Sequence, residues 1–390
     1  MNTHHLPLVI ALVTVYTSFG RAAGLPVKFV THRIGHVRSE AVGVADFNGD
    51  RKLDIVAGPN LYLAPDWKPV KIRTLAGKVE EDGKGYVDDF MNLPLDVDGD
   101  GRQDVVSCGW FCKCVRWYRQ PSSPAGDWSE EVVDSSANYE SGDLADIDGD
   151  GRAEEILAHC PATVWYEAAK LPAGQRSLVK HVISEKAMNY GGGVGDLDGD
   201  GRPDVLRPDA WFAAPADPRA GKWVEHPWSL GAKDGKSEHT PQMLVLDVNG
   251  DKLPDVITSD AHKHGIFWYE QTRGQGNTSW KQHLIDDSWS QAHTLALGDI
   301  NGDGTPDLIT GKRFMAHNGS DPDEFGKLGV YWYELQCGAK PTWTKHNISF
   351  DEGIGSGVTL CAVDLNQDGD VDVVVTGKWG GPVWFENKRK

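Results

Sequence analysis

The sequence predicts an all-β fold, a seven-bladed β-propeller closed on itself. Three observations predict it. An acidic nine-residue motif recurs seven times in 390 residues. Each copy sits inside the same order of short apolar runs. The last unit lacks a strand, and the N-terminal end can supply it. A fixed repeat near fifty residues marks stacked supersecondary units, each too small to bury its own apolar face. That periodicity overrides the two or three domains that length alone would suggest.

The motif begins at Asp46, Asp96, Asp146, Asp196, Asp247, Asp299 and Asp364. An apolar run precedes each loop, as at Ala41 to Val44, Met243 to Leu246, Thr294 to Leu297 and Val358 to Cys361. A second follows it, as at Asp54 to Ala57, Asp104 to Ser107 and Asp307 to Thr310. An aromatic strand comes next, marked by Trp117-Tyr118, Trp165-Tyr166, Trp268-Tyr269, Trp332-Tyr333 and Trp384-Phe385. A fourth strand completes the unit, as at Lys180 to Ile183, Lys281 to Ile285 and Thr344 to Ile348. Four short strands at regular spacing make a propeller blade. After Trp384-Phe385-Glu386 the final blade has no fourth strand. Val27 to Ile34 resembles the other outer strands and precedes every acidic loop. It is expected to pair with the last blade and close the ring, which leaves no open edge. The recurrent aromatics have the width and rigidity to pack between blades.

Residues 1–23 read as a secretory signal: Leu6 to Phe19 is apolar, and Gly20-Arg21-Ala22-Ala23 offers a small-residue cleavage site. The stretch is short for a membrane span. The propeller is then expected over 24–390, exported to a periplasmic or extracellular setting, monomeric, and without a membrane span once the signal is removed. Six cysteines suit such a compartment, with one bridge expected among Cys108, Cys112, Cys114 and Cys160. Cys337 carries no assignment. Cys361 lies in an apolar alternating run and reads as a buried thiol. The 39 basic and 57 acidic residues give a net charge of −18, which disfavours a nucleic-acid partner.

An acidic excess of that size calls for counter-ions. The loops offer oxygen ligands at alternate positions one, three, five and nine, the arrangement that points several oxygens at one hard cation. The candidate ligands are Asp46, Asn48, Asp50 and Asp54; Asp96, Asp98, Asp100 and Asp104; Asp146, Asp148, Asp150 and Glu154; Asp196, Asp198, Asp200 and Asp204; Asp247, Asn249, Asp251 and Asp255; Asp299, Asn301, Asp303 and Asp307; and Asp364, Asn366, Asp368 and Asp372. Calcium (Ca2+) in several of these loops would offset most of the excess charge and act structurally. Loops one and five carry Arg51 and Lys252 where the others have Gly, and the alternative is a loop held by side-chain-to-backbone bonds alone. Over the whole mature chain these motifs resemble the FG-GAP or VCBS repeats, whose best-known propeller belongs to integrin alpha subunits. The resemblance implies the propeller and calcium; it does not specify an activity.

The acidic loops join first strands to second strands, so they share one face. Loops that enter a first strand or leave a second strand must then meet on the opposite face. Those loops carry Asp88-Asp89, Asn138-Tyr139-Glu140, Asn189-Tyr190, Glu238-His239 and Gln291-Ala292-His293. They also carry Trp110, His159, Asp209 to Trp211, His262-Lys263-His264 and Lys312-Arg313 through His317. Ring closure would gather six of the 14 histidines there. The candidate catalytic set is His239, His293, His317, Lys312, Arg313, Asp88, Asp89, Tyr190, His262 and His264. A histidine base with a nearby cation suits proton abstraction beside a carbonyl. Several histidines with a carboxylate also suit Zn2+ or another divalent metal. Val87 to Phe90, Ser290 to His293 and Gly311 to His317 look like loops in the propeller part of aldos-2-ulose dehydratase relatives. That resemblance implies a carbohydrate lyase or dehydratase that eliminates water or a sugar from a keto-sugar or polysaccharide. Those enzymes continue into cupin domains, which this sequence lacks. The competing reading is a non-catalytic module that binds a glycan or protein through the same face. The insertion from Asn318 to Leu328 would then be a recognition loop.

Overall fold

In the computed structural model, residues 26–231, 236–274 and 277–389 are described. The expected signal segment lies outside them. Seven antiparallel four-stranded sheets follow one another around a ring. Blade one runs Val42–Ala45, Asp54–Ala57, Asn60–Leu63 and Lys68–Lys71, and the next five blades repeat that order. Blade seven takes Leu360–Val363, Asp372–Val375 and Gly381–Asn387 from the C-terminal end. Its outer strand is Phe29–Val37, with Phe29 opposite Asn387 and Arg33 opposite Val383. Ring closure by the N-terminal strand is therefore as expected. The one described helical element is a single 3₁₀ turn, Ala316–Asn318, and no described helix could cross a membrane.

Second strands are buried along their whole length, as at Asp54–Ala57, Asp104–Gly109 and Asp307–Lys312. Apolar clusters fill the spaces between neighbouring blades, for instance Ile156, Tyr166 and Val106 between blades two and three. Third-strand tryptophans belong to this packing: Trp165 is fully buried, and Trp117, Trp268, Trp332 and Trp384 are nearly so. Each of Trp165, Trp211, Trp268, Trp332 and Trp384 is stacked by a histidine of its own fourth strand, at centroid distances of 4.1–4.4 Å. Those histidines thus have an architectural use. Cys112 and Cys114 form the one bridge among the four neighbouring cysteines, leaving Cys108 and Cys160 as buried thiols.

The ninth residue of the acidic motif explains why its carboxylate recurs. Asp54 accepts backbone N–H bonds from Phe47 at 3.0 Å and Ala64 at 2.8 Å, tying the loop to the end of the third strand. Asp104, Asp204, Asp255, Asp307 and Asp372 do the same in their blades. Blade three corrects one expectation. Glu155, not Glu154, holds this place and accepts the Ile147 N–H at 3.0 Å. The longer side chain reaches the same amide from one residue later, while Glu154 is largely exposed and pairs with Arg152.

One further element was not foreseen. The hairpin Gly77–Val79 with Gly85–Val87 lies between blades one and two in the chain and reaches the insertion of blade six. The Gly85 N–H donates to Asn318 Oδ1 at 2.8 Å, and Tyr86 Oη accepts the His317 N–H at 2.8 Å. It is pinned to the insertion of blade six.

Candidate functional site

The two faces of the ring hold two different constellations. On the first, every acidic loop is a turn built by its own side chains. Asp46 accepts the N–H groups of Gly49, Asp50 and Arg51, and Asn48 accepts that of Asp50. The sixth position has positive φ even without glycine: Arg51 and Lys252 both sit at +72°. Loops one and five therefore keep the common shape at some backbone cost. In blades two, three and four, oxygens from the first, third and last acidic positions lie within 4.8 Å of one another: Asp96, Asp98 and Asp104; Asp146, Asp148 and Glu155; Asp196, Asp198 and Asp204. Carboxylate oxygens this close suit a hard divalent cation.

The opposite rim gathers Glu140 from blade three, His239 and His262 from blade five, and His293, Arg313, His317 and Asp321 from blade six. Glu140 lies at the centre. Its Oε1 accepts from His293 Nε2 at 3.1 Å, lies 3.9 Å from His262 Nε2 and 3.7 Å from an Arg313 nitrogen. Arg313 is itself held by Glu40 Oε1 at 3.1 Å. Asp321 bridges two histidines, at 2.9 Å from His317 Nδ1 and 3.3 Å from His262 Nδ1. The His262 ring lies 4.9 Å from that of His293, 4.5 Å from His317 and 6.0 Å from His239.

Hydrogen bonding fixes what each ring can do. A carboxylate only accepts, so His262 Nδ1 carries a proton toward Asp321, and in the neutral ring the lone pair is at Nε2. The Tyr190 backbone N–H donates to His239 Nδ1 at 3.0 Å, so neutral His239 presents an N–H at Nε2. His293 directs its Nε2 proton at Glu140, and its buried Nδ1 has no partner. Burial lowers the pKa of His239. Burial, then the Arg313 charge, pushes His293 down to about 3. The hydrogen bond to Asp321 raises that of His317. For Glu140, burial favours the neutral acid, but the His293 hydrogen bond and the surrounding positive charges outweigh it and hold the carboxyl below its usual range. The rim thus has rings pushed toward opposite protonation states, His239 and His293 toward the neutral form and His317 toward the charged one. His317 also adopts φ +48° beside Met315 at +54°, a strain of about 1–3 kcal/mol per residue that is typical of functional positions.

Several expected site residues lie elsewhere, and their burial explains why. Asp88 accepts from the Phe111 and Cys112 amides and pairs with Arg116, while Asp89 binds Arg73, Ser39 and the Gly58 amide. Lys312 is fully buried, donating to Ser290 Oγ at 2.7 Å and Asp323 at 3.1 Å. All three are engaged in bracing their loops. His264 bonds the Asp287 carbonyl at 3.2 Å, away from the cluster. Tyr190 does reach the rim. Sequence reasoning placed Glu140 in the right loop without singling it out, and missed Glu40, Tyr86 and Asp321. Asp321 lies in an insertion with no counterpart in other blades, so no periodicity marks it.

Glu140, His262 and His293 also bring one ligand atom each within 4.8 Å. His262 fits a metal ligand well, because Asp321 would orient it from behind. His293 and Glu140 fit poorly. The other nitrogen of His293 has no acceptor, and Arg313 stands against Glu140 where a metal would add like charge.

The description "FG-GAP-like repeat" matches residues 96–157 and 247–310, two stretches that each run from one acidic loop through the next. This chain carries FG-GAP-like repeats. Among solved structures it resembles the extracellular domain of a one-component system from B. thetaiotaomicron, at 11% identity and a TM-score of 0.45. That match covers 90% of this chain and 39% of the other, so this chain spans about two fifths of that protein's length. The V. cholerae biofilm matrix protein Bap1 matches at 12% identity and a TM-score of 0.37, covering 91% and 81% of the two chains. A structure titled as a gluconolactonase matches at 9% identity and a TM-score of 0.41, covering 94% and 95%.

Proposed function

We propose that this chain is an exported, calcium-stabilised propeller that acts as a carbohydrate lyase at its histidine-rich rim. The reaction is elimination from a keto-sugar. The observation that carries it is the His262–Asp321–His317 bridge beside Glu140 and His239. His262 Nε2 takes the proton from the carbon beside the carbonyl, oriented by Asp321 as in other histidine–carboxylate pairs. The electron pair moves onto the carbonyl oxygen, where the His239 Nε2–H stabilises the oxyanion. As the carbonyl re-forms, the carbon–carbon double bond is made and the bond to the leaving oxygen breaks. His317, held protonated by Asp321, delivers a proton to that oxygen. The products are an unsaturated ketone and either water or a released sugar. Arg313, held by Glu40, stands against Glu140 and fixes it beside the histidines. Calcium belongs to the other face and takes no part in these steps. The contacts around His293 and Glu140 favour this reading over a metal held by Glu140, His262 and His293.

The test is to incubate the protein with keto-glycosides and anionic polysaccharides and follow an ultraviolet-absorbing enone and its mass. Such a product, lost in His262→Asn and insensitive to a chelator that takes transition metals but spares calcium, such as phenanthroline, is expected. An unaltered glycan or protein ligand held on this rim would instead favour a binding module.

A further inference from the structure

We infer that Trp110 and Tyr190 form a second sugar subsite, so that the substrate is a glycoside of at least two units and not a free monosaccharide. This rests on the lyase reading above and deepens it. The Trp110 and Tyr190 rings come from blades two and four, and their centroids lie 5.1 Å apart. Tyr190 in turn meets the His239 ring edge-on at 5.3 Å, and His239 lies 6.0 Å from His262. This row joins the reacting histidines to Trp110, whose carbonyl is held by Asn138 of the loop that carries Glu140. Two rings, Tyr190 and His239, stand between Trp110 and His262 in the row, so a sugar stacked on Trp110 is taken as a different unit from the one whose carbon reaches His262.

Both aromatics differ from the blade tryptophans, which are buried beneath stacked histidines. Trp110 and Tyr190 remain partly exposed at the rim. Neither the Trp110 indole N–H nor the Tyr190 hydroxyl has a protein partner among the described residues. Aromatic side chains with an apolar face and an unmet polar tip suit a pyranose, which offers C–H faces for stacking and hydroxyls at its edge. The backbone around both rings is fixed in advance. Asn138 Nδ2 donates to the Trp110 carbonyl at 2.8 Å. The Tyr190 N–H is held by His239, and its carbonyl accepts the Thr240 N–H at 3.0 Å. The neighbouring Asn189 is clamped by Asp209 and Arg207. A subsite pinned in this way loses little freedom when a sugar binds.

The test titrates the full chain with α- and β-linked gluco-oligosaccharides of one to four units and reads affinity by calorimetry. Affinity is expected to rise at least tenfold from one unit to two. Trp110→Ala is expected to erase that gain, and Trp110→Phe to keep most of it while its melting temperature confirms the fold. Tyr190→Phe should weaken binding several-fold. Affinity independent of chain length, unaffected by Trp110→Ala, or absent for every oligosaccharide would overturn the proposal. Because binding is read without turnover, His262→Asn should leave the chain-length effect intact. If that effect is present and no keto-sugar is ever converted, the subsite stands and the lyase reading fails.

Discussion

The two faces of the ring compensate charge in opposite ways. On the acidic face, seven near-identical loops place carboxylates where solvent and cations can reach them, and each turn is held by its own backbone amides. On the opposite side, buried charges pair in ways that do not repeat: Arg313 with Glu40 and Glu140, Arg116 with Asp88, Arg73 with Asp89. The repeated face can lose one loop and keep its design. The rim has no second copy of any part. Stability is thus spread around the ring, whereas the proposed chemistry draws on a few residues from blades three, five and six.

The largest effect should come from the element both faces need. Removing the chain through Val37 strips the outer strand from Gly381–Asn387 and exposes a strand edge. Loss of cooperative folding, or aggregation on gel filtration, is expected; an unchanged monomer with the same melting temperature would break the closure account. Next is His262→Asn, expected to lower kcat by about 10²–10⁴, the usual range for a general base. Its melting temperature and calcium response should match those of the parent, since the change touches one face only. Asp104→Ala should cost about 3 kcal/mol, because the Val97 and Gln120 amides and the Trp117 indole N–H all lose their acceptor. Calcium at a hundredfold excess over Kd should add about 2.7 kcal/mol for each occupied loop, read as a rise in melting temperature over the chelated protein. No rise would remove calcium from the account.

The smallest effect concerns pH. Asp321 raises the pKa of His317, so the protonated ring persists above the ordinary histidine value. Stability from that charge is complete below the unfolded value and fades as pH rises through the folded one. Activity should fall on the same alkaline side. Asp321→Asn should move that limb to lower pH; an unmoved limb would assign the acid to another group.

The fold was legible because its cause is periodic. Seven copies of one motif, an orphan strand at one end and a blade short of a strand at the other, leave few arrangements open. The ninth-position carboxylate was legible as a type and misplaced once, at Glu154, because two adjacent acids stand where the other blades have one. The rim was legible as a location, since strand order alone brings those loops together. Its roles were not. Whether Lys312 points at a substrate or at Ser290 depends on packing that no spacing encodes. The hairpin near Tyr86 and the carboxylate of Asp321 lie in insertions, where the repeat gives no register to read against.

The account rests most directly on His262 removing a proton beside a carbonyl. That step is visible without any net reaction, as exchange of the carbon-bound proton for solvent deuterium in a keto-glycoside, followed by nuclear magnetic resonance. The account predicts exchange or deuterated product with the parent protein, none with His262→Asn, and no change when calcium-loop residues of blade two are replaced in a folded variant. Exchange that survives His262→Asn, or none with the parent across the keto-glycosides tried, would contradict it.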